Sequence, residues 1–509
     1  MCGIAGFCHY SQDLVPYDSV CADMISALKR RGPDSDGVYH ADHVRMAHTR
    51  LAVVDLENGK QPMIFGNGER EKAIVYNGEL YNTEEIRKEL RAKGYTFKSH
   101  SDTEAVLTAF AAWGPECVKK FNGIFAFAVW DRETDRLFAA RDRMGVKPFF
   151  FLEKDGGFIF GSEIKALLKH PAVKPILDGV SLAEILLLGP GRTPGCGVFK
   201  GIQELLPGHY GFWDRNGFNR YPYWALTARE HTDSFEETVE KIKYLLTDSI
   251  QRQTVSDVPL ASFLSGGLDS SAIAALSGVR QTFSVDYAEN EKYFQAGPFQ
   301  PDSDDRYIRL MNEHLDVPHE TVVLETDDLV ESLFEATEAR DLPGMADVDG
   351  SLLLFCKKVK ERATVALSGE CADEIFGGYP WYRDKRIREA DGFPWSQSTA
   401  YRASFLKAGI LDLDAAGYVT QKYQQTIALA NAATPLDKNF SEKNSEESLE
   451  NRMKEMFRLN LDWFMQTLLD RKDRMSMWSG LEVRVPFCDH RIVEYLYSVP
   501  WEYKNHLDR

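Results

Sequence analysis

Residues 263–274 read FLSGGLDSSAIA, and this stretch decides the architecture of the second half of the chain. An apolar run at 258–264 (VPLASFL) leads into it, and a small-residue run at 270–276 (SSAIAAL) leaves it. Strand, glycine turn and helix in that order put the turn at the carboxyl end of a strand, where open parallel sheets bind ligands. Gly266 and Gly267 let the backbone approach an anion, and Ser265, Ser270 and Ser271 add hydroxyl donors. The helix start adds amides and the positive end of a dipole. The physics is that of a phosphate cradle, but not of a Walker loop. The Gly-Lys-Ser/Thr ending is missing, and Asp269 stands where a cation is expected. An acid beside a phosphate needs a metal between them, so Mg2+ is implied.

Outward from this point the pattern stays α/β. A second strand–turn unit follows at 363–370 (ATVALSGE), and strands alternating with helices imply a parallel sheet. Upstream, Ser234 and Glu237 form a capping box. Phe235, Val239, Ile242, Leu246 and Ile250 then keep helical spacing along one face. Beyond about residue 400 the pattern is helical, with Met453, Met456, Phe457, Leu461, Phe464 and Leu468 on one core stripe. The segment 436–452 reads as polar, mobile surface.

The first half differs. Short apolar and aromatic runs at 71–76, 123–131 and 136–142 read as strands, the first leading into an Asn77-Gly78 turn. Helices are expected from Pro16 to the Gly32-Pro33 exit and from a Ser101/Glu104 capping box. Residues 209–221 read as a hairpin turning at Asn216-Gly217, and 221–233 as a linker. The expected units are 2–215, a linker at 216–233, and 234–509.

With 509 residues, two or three domains fit. The net charge of −17 argues against a duplex nucleic-acid partner. No apolar run reaches the roughly 18 residues of a membrane span, and no export signal is visible. The eight cysteines are scattered with no zinc or disulfide pattern. A cytoplasmic, reduced protein without structural metal is expected.

The amino terminus reads MCGIAGF. Once trimmed of Met1, Cys2 would carry a thiol and a free α-amine on one carbon, and such an amine can serve as base for its own side chain. Alone, the tripeptide is also read as chance placement.

Taken together, SGGLDSS and MCGIAGF make the chain resemble the glutamine-hydrolysing asparagine synthetases, which join a class II glutamine amidotransferase to an ATP-pyrophosphatase domain. The resemblance runs nearly end to end. It includes RRGPD (30–34), HTRLAVVD (48–55), YNGELYN (76–82), SDTE (101–104), FNGIFAFAVWD (121–131), RDRMGVKPFFF (141–151), FGSEIKALL (160–168), SGECADEIFGGY (368–379), DRMSM (473–477) and LEVRVPFCDH (481–490). It implies an N-terminal-nucleophile αββα sandwich, an α+β unit, followed by an α/β ATP-pyrophosphatase domain with a helical C-terminal part.

The resemblance also implies roles. Cys2 attacks the glutamine amide, with Asn77 and Gly78 as the oxyanion hole. Arg50 and Asp102 hold the two poles of the free amino acid, and Leu51, Ala52, Val53, Val54 and Glu79 complete the glutamine site. ATP would lie on Leu264, Ser265, Gly266, Gly267, Asp269, Ser270, Ser271, Val285, Ser368 and Gly369, with Mg2+ on Asp269 and Asp373. Glu370 is implied as the acid important for the adenylate, deprotonating attacking ammonia. The activity implied is a carbon–nitrogen ligase using glutamine, aspartate and ATP, without nucleic acid or membrane, and with a homodimer allowed.

Three departures stand out. Cys371 and Cys488 stand where the family often has Gly and Leu. Relatives usually continue past the present end with a lysine-bearing segment, so adenylate formation is expected to be poor unless Lys472 or Arg474 replaces that lysine. The alternatives are a related tailoring enzyme acting on another carboxylate, or a synthetase-deficient glutaminase or partner protein.

Overall fold

The computed structural model describes residues 2–189, 191–297, 302–433 and 445–505. Twelve strands build the first half: β1 (Gly3–His9), β2 (Ser35–Ala41), β3 (Val44–Arg50), β4 (Met63–Phe65), β5 (Lys72–Leu80), β6 (Gly123–Asp131), β7 (Arg136–Arg141), β8 (Phe150–Lys154), β9 (Gly157–Gly161), β10 (Gln203–Glu204), β11 (His209–Asp214) and β12 (Gly217–Pro222). They form two six-stranded sheets, ordered β10-β8-β9-β1-β3-β2 and β12-β11-β7-β6-β5-β4. Strand alternation sorts the side chains into layers. In β6, Ala126, Ala128 and Trp130 point between the sheets and join Ile4, Met46, Phe149 and Phe160. Phe125, Phe127 and Val129 point the other way, against Ile86, Leu90, Val106 and Phe110 of the helices Thr83–Ala92 and Asp102–Trp113. Helix Asp18–Leu28 covers the outer face of the first sheet through Met24 and Leu28. The result is the expected αββα sandwich.

Several local expectations change. Asn77 and Gly78 lie inside β5 rather than in a turn. Gly78 faces Phe125 across the ladder, and a Cβ there would meet Ile124 O at 2.4 Å, so glycine serves close strand approach. The first helix stops at Leu28, short of Gly32, whose missing side chain lets the backbone lie against Thr49 and Arg50 of β3. The Ser101 hydroxyl caps Thr103 N, but Glu104 reaches back to Lys98 N and Ser99 N instead of to the cap residue. The β11–β12 hairpin closes on Asp214 and Gly217, and β12 stays in the sheet as far as Pro222.

In the second half, β13 (Leu260–Phe263), β14 (Thr282–Tyr287), β15 (His319–Leu324), β16 (Val365–Leu367) and β17 (Glu482–Arg484) form a parallel sheet in the order β15-β14-β13-β16-β17. The chain leaves β13 on one side and returns on the other. A crevice therefore opens at the carboxyl ends of β13 and β16, the switch point where such sheets bind ligands. SGGLDSS follows β13, and SGECADE follows β16.

Helix Phe235–Arg252 has the full Ser234/Glu237 capping box. Of the expected stripe, Ile250 is fully buried and Ile242 and Leu246 pack half-buried against the core, while Val239 is exposed; Thr238, Leu245 and Ser249 are buried beside them. The Ser249 hydroxyl donates to Pro486 O at 2.8 Å. The stripe from Met453 to Leu468 is buried throughout and passes through a π-helical turn at Asn460–Phe464. Of the segment expected to be mobile, 436–444 lies outside the described residues. From Ser445 onward it is helix, with Arg452 donating to Arg388 O and Ala390 O. Among the described residues no helix is long and apolar enough to cross a membrane.

Candidate functional site

Cys2 sits at the start of β1, buried, beside a small cavity of about 30 Å³. Arg50, Leu51, Val53, Val54, Gly78, Glu79 and Asp102 line that cavity with it, so most of the expected glutamine set converges. Ala52 does not, because its amide turns away to Asp34 at 2.7 Å. The Cys2 nitrogen donates to Asn77 Oδ1 at 3.0 Å. Asn77 is fully buried, and its Nδ2 has no hydrogen-bond partner among the described residues. A buried donor left unpaired costs free energy, so this amide is free for an acceptor beside the sulfur. Burial pushes the Cys2 thiol up, while the Leu51 amide and Arg50 pull it down.

The poles of the pocket are held differently. Asp102 accepts from the Tyr76 hydroxyl and Leu80 N, both at 2.9 Å, and burial raises its carboxyl. Arg50 donates to the carbonyls of Leu56, Val54 and Asp55, so it also fixes the loop that carries Leu51 to Val54. Gln61 and Tyr76 belong to the same wall and were not anticipated. Glu79 reaches the other half of the molecule, at 3.4 Å from Arg484. Burial and the nearby Glu482 raise its carboxyl.

The halves meet through a buried ionic junction. Arg31 donates to Cys2 O at 3.1 Å, to Glu163 at 2.9 Å and to Asp473 at 2.7 Å. Lys147 reaches Asp473 at 2.9 Å, and Arg474 reaches Asp341 at 3.1 Å and Asp470 at 3.3 Å. Against burial, Lys165, Arg474 and Arg31 hold Glu163 down to about 2. Asp473 is likewise held well below the ordinary carboxylate range, by Arg31 and Lys147 against burial. RRGPD and DRMSM thus contribute the halves of one contact that no local pattern could announce.

At the other site, Gly266 has φ +77°, and a Cβ there would lie 2.7 Å from Tyr307 Cβ. Ser270 Oγ accepts from Ser265 N at 3.1 Å and bonds Gly267 O at 3.2 Å, tying the loop to the start of helix Leu268–Ser277. Ser265 and Gly267 remain exposed, and Ser271 continues the same first turn. Leu264 is buried and donates to Phe283 O, while Val285 on the neighbouring strand is exposed. Ser368 is buried behind the loop, and a Cβ on Gly369 would lie 3.2 Å from Asp269 Cβ. The β13 and β16 loops are thus in contact.

Burial and the charge of Asp373 raise Asp269 to about 6. Two carboxylates that repel each other beside a phosphate-sized loop are hard-oxygen donors short of positive charge. That donor set suits Mg2+, which takes one or two carboxylates together with substrate phosphates. Glu370 lies next to Lys472 at 3.1 Å and Arg471 at 3.2 Å; against burial, these cations keep it ionised. Lys472 therefore belongs to this site, whereas Arg474 is locked in the junction. The expectation of only unpaired thiols is overturned, because Cys371 and Cys488 are joined by a disulfide. A separate cavity of about 580 Å³ lies between the halves, lined by Met144, Trp224, Leu461 and Asp473 among others. Neither Cys2 nor the 265–271 loop opens into it.

This combination defines an N-terminal-nucleophile glutamine amidotransferase joined to an ATP-using synthetase domain. Residues 1–224 match the glutamine amidotransferase domain family, and residues 241–509 match the asparagine synthase family. The chain is 48% identical, over its whole length and 83% of the relative, to asparagine synthetase [glutamine-hydrolyzing] 3 of Bacillus subtilis. It is 28% identical to asparagine synthetase [glutamine-hydrolyzing] 1 of the same organism, covering 99% of this chain and 82% of that one. The chain belongs to the glutamine-hydrolysing asparagine synthetase family.

Proposed function

We propose that this protein makes L-asparagine, L-glutamate, AMP and diphosphate from L-aspartate, L-glutamine, ATP and water. Residues 2–215, extended by β12 to Pro222, are the glutaminase; the linker runs on to 233, and 234–509 are the synthetase. The Cys2 thiol attacks the glutamine amide carbon. The α-amine freed by removal of Met1 takes the thiol proton and passes it to the leaving nitrogen, so that the C–N bond breaks and ammonia departs; water then hydrolyses the glutamyl thioester, releasing glutamate and restoring the thiol. Asn77 Nδ2 and the Gly78 N–H receive the oxyanion, where donors already in place are most effective. Arg50 takes the glutamine α-carboxylate and Asp102 the α-ammonium, with Leu51, Ala52, Val53, Val54 and Glu79 around them.

In the crevice the aspartate β-carboxylate attacks the α-phosphorus of ATP, giving β-aspartyl-AMP and pyrophosphate. Residues 265–271 hold the leaving pyrophosphate, and Leu264, Val285, Ser368 and Gly369 face the nucleoside. Asp269 and Asp373 would hold Mg2+, which supplies charge neutralisation of the pyrophosphate when bound. Glu370, kept ionised, accepts a proton as ammonia attacks the adenylate. We read the reaction as cytoplasmic.

The observation that carries this reading is a single helix, Met465–Trp478. Its Lys472 pairs with Glu370, while the next residue, Asp473, pairs with the Arg31 that holds Cys2 O. The two half-reactions thus share one rigid element away from bulk water, where ammonia would be protonated. The test is Cys2→Ala. Glutamine-dependent asparagine formation is lost and ammonia-dependent formation persists; retained glutamine-dependent synthesis would overturn the assignment.

A further inference from the structure

Two cysteines far apart along the chain form one feature. Cys371 and Cys488 are disulfide-bonded across 117 residues with their Cα atoms 5.8 Å apart. That separation lies in the range a disulfide spans without moving the backbone. The other six cysteines are free. The bond ties the loop after β16 to the turn Pro486–Cys488 just beyond β17. Cys371 follows Glu370 and precedes Asp373 by two residues. Its φ is +80°, the left-handed region that suits Gly and strains an L-residue. A free cysteine there would favour relaxing out of that conformation and would carry Glu370 with it. The bond to Cys488, packed among Ile375, Met465 and Phe487, opposes that relaxation.

We propose that Cys371 and Cys488 form a redox modification site that takes hydrogen peroxide as oxidant, and that its disulfide holds the Glu370 loop in the form that supports adenylate chemistry. The proposal rests on the reading of Glu370 and Asp373 as synthetase residues. One sulfur attacks a peroxide oxygen, the O–O bond breaks, and water leaves a sulfenic acid. The second thiol displaces the hydroxyl as another water and closes the S–S bond. Two thiols are oxidised and one peroxide is reduced to two waters. A dithiol reverses the step by exchange. In a reducing compartment a disulfide is ordinarily transient and redox-sensing, which suits a bond placed beside the ATP crevice.

The test compares the full chain after peroxide and after dithiothreitol treatment. Peptide mass reports the bond, since the linked pair is lighter by two hydrogen atoms. Aspartate-dependent ATP–pyrophosphate exchange reports the adenylate step and does not use Cys2. Reduction is expected to slow exchange roughly fivefold, the ratio equivalent to the ~1 kcal/mol an L-residue pays in the left-handed region; reoxidation restores it. Cys371→Gly, which relieves the strain, should match the oxidised rate whatever the treatment. Cys488→Ala, which keeps the strain without the bond, should stay at the reduced rate. Equal exchange in both states with the bond switching, a redox-responsive Cys371→Gly, or no bond after peroxide would each overturn the proposal. If exchange is absent in every state while mass shows the bond switching, the assignment of the synthetase site fails, and the proposal with it.

Discussion

Asp269→Asn tests the ATP crevice through stability and ligand response together. Lifting a carboxyl from 3.8 to about 6 penalises the ionised native state by roughly 3 kcal/mol, at about 1.36 kcal/mol per tenfold change in proton affinity. Asp269 is partly open to solvent, so screening reduces this to about 2 kcal/mol. The folded affinity for the proton is raised, so between 3.8 and 6 the native state binds more protons than the unfolded chain. Wild-type stability therefore falls as pH rises through that window. Asparagine removes the penalty. The variant should be more stable than wild type by about 2 kcal/mol near pH 8, with the gain shrinking to about a third near pH 4.5. Urea unfolding at the two pH values measures it. Added Mg2+ and ATP should stabilise wild type and leave the variant almost unmoved, and pyrophosphate exchange should be lost. A variant less stable than wild type at pH 8, or equally responsive to Mg2+ and ATP, would show that Asp269 is an ordinary helix-start acid.

Two further outcomes are expected. Asn77→Ala should lower glutaminase kcat about 100- to 1,000-fold, the range for one oxyanion donor, with ammonia-dependent synthesis kept; a small change in kcat would place the oxyanion elsewhere. Asp473→Asn leaves buried Arg31 and Lys147 short of an anion and should destabilise the chain by about 3–5 kcal/mol while uncoupling glutamine use from synthesis. An unchanged unfolding midpoint would mean the junction adds nothing.

The sequence by itself determined what local pattern encodes. The continuous apolar and aromatic run in 123–131 reads as a strand, and that strand is buried on both faces. The Ser234/Glu237 capping box and the Gly266 turn were legible because each is a backbone conformation set by residues a few positions apart. The same holds for the loop 265–271, and Cys2 stood out by its position. Only the tertiary structure decided that Asn77-Gly78 continue a strand, since that depends on how closely β6 approaches. It alone joined Arg31 to Asp473 across 442 residues, brought Asp269 within reach of the charge of Asp373, and paired Cys371 with Cys488. Charge pairing and thiol pairing act through space, and nothing in the order of residues along a chain says which distant side chains will be brought within bonding distance.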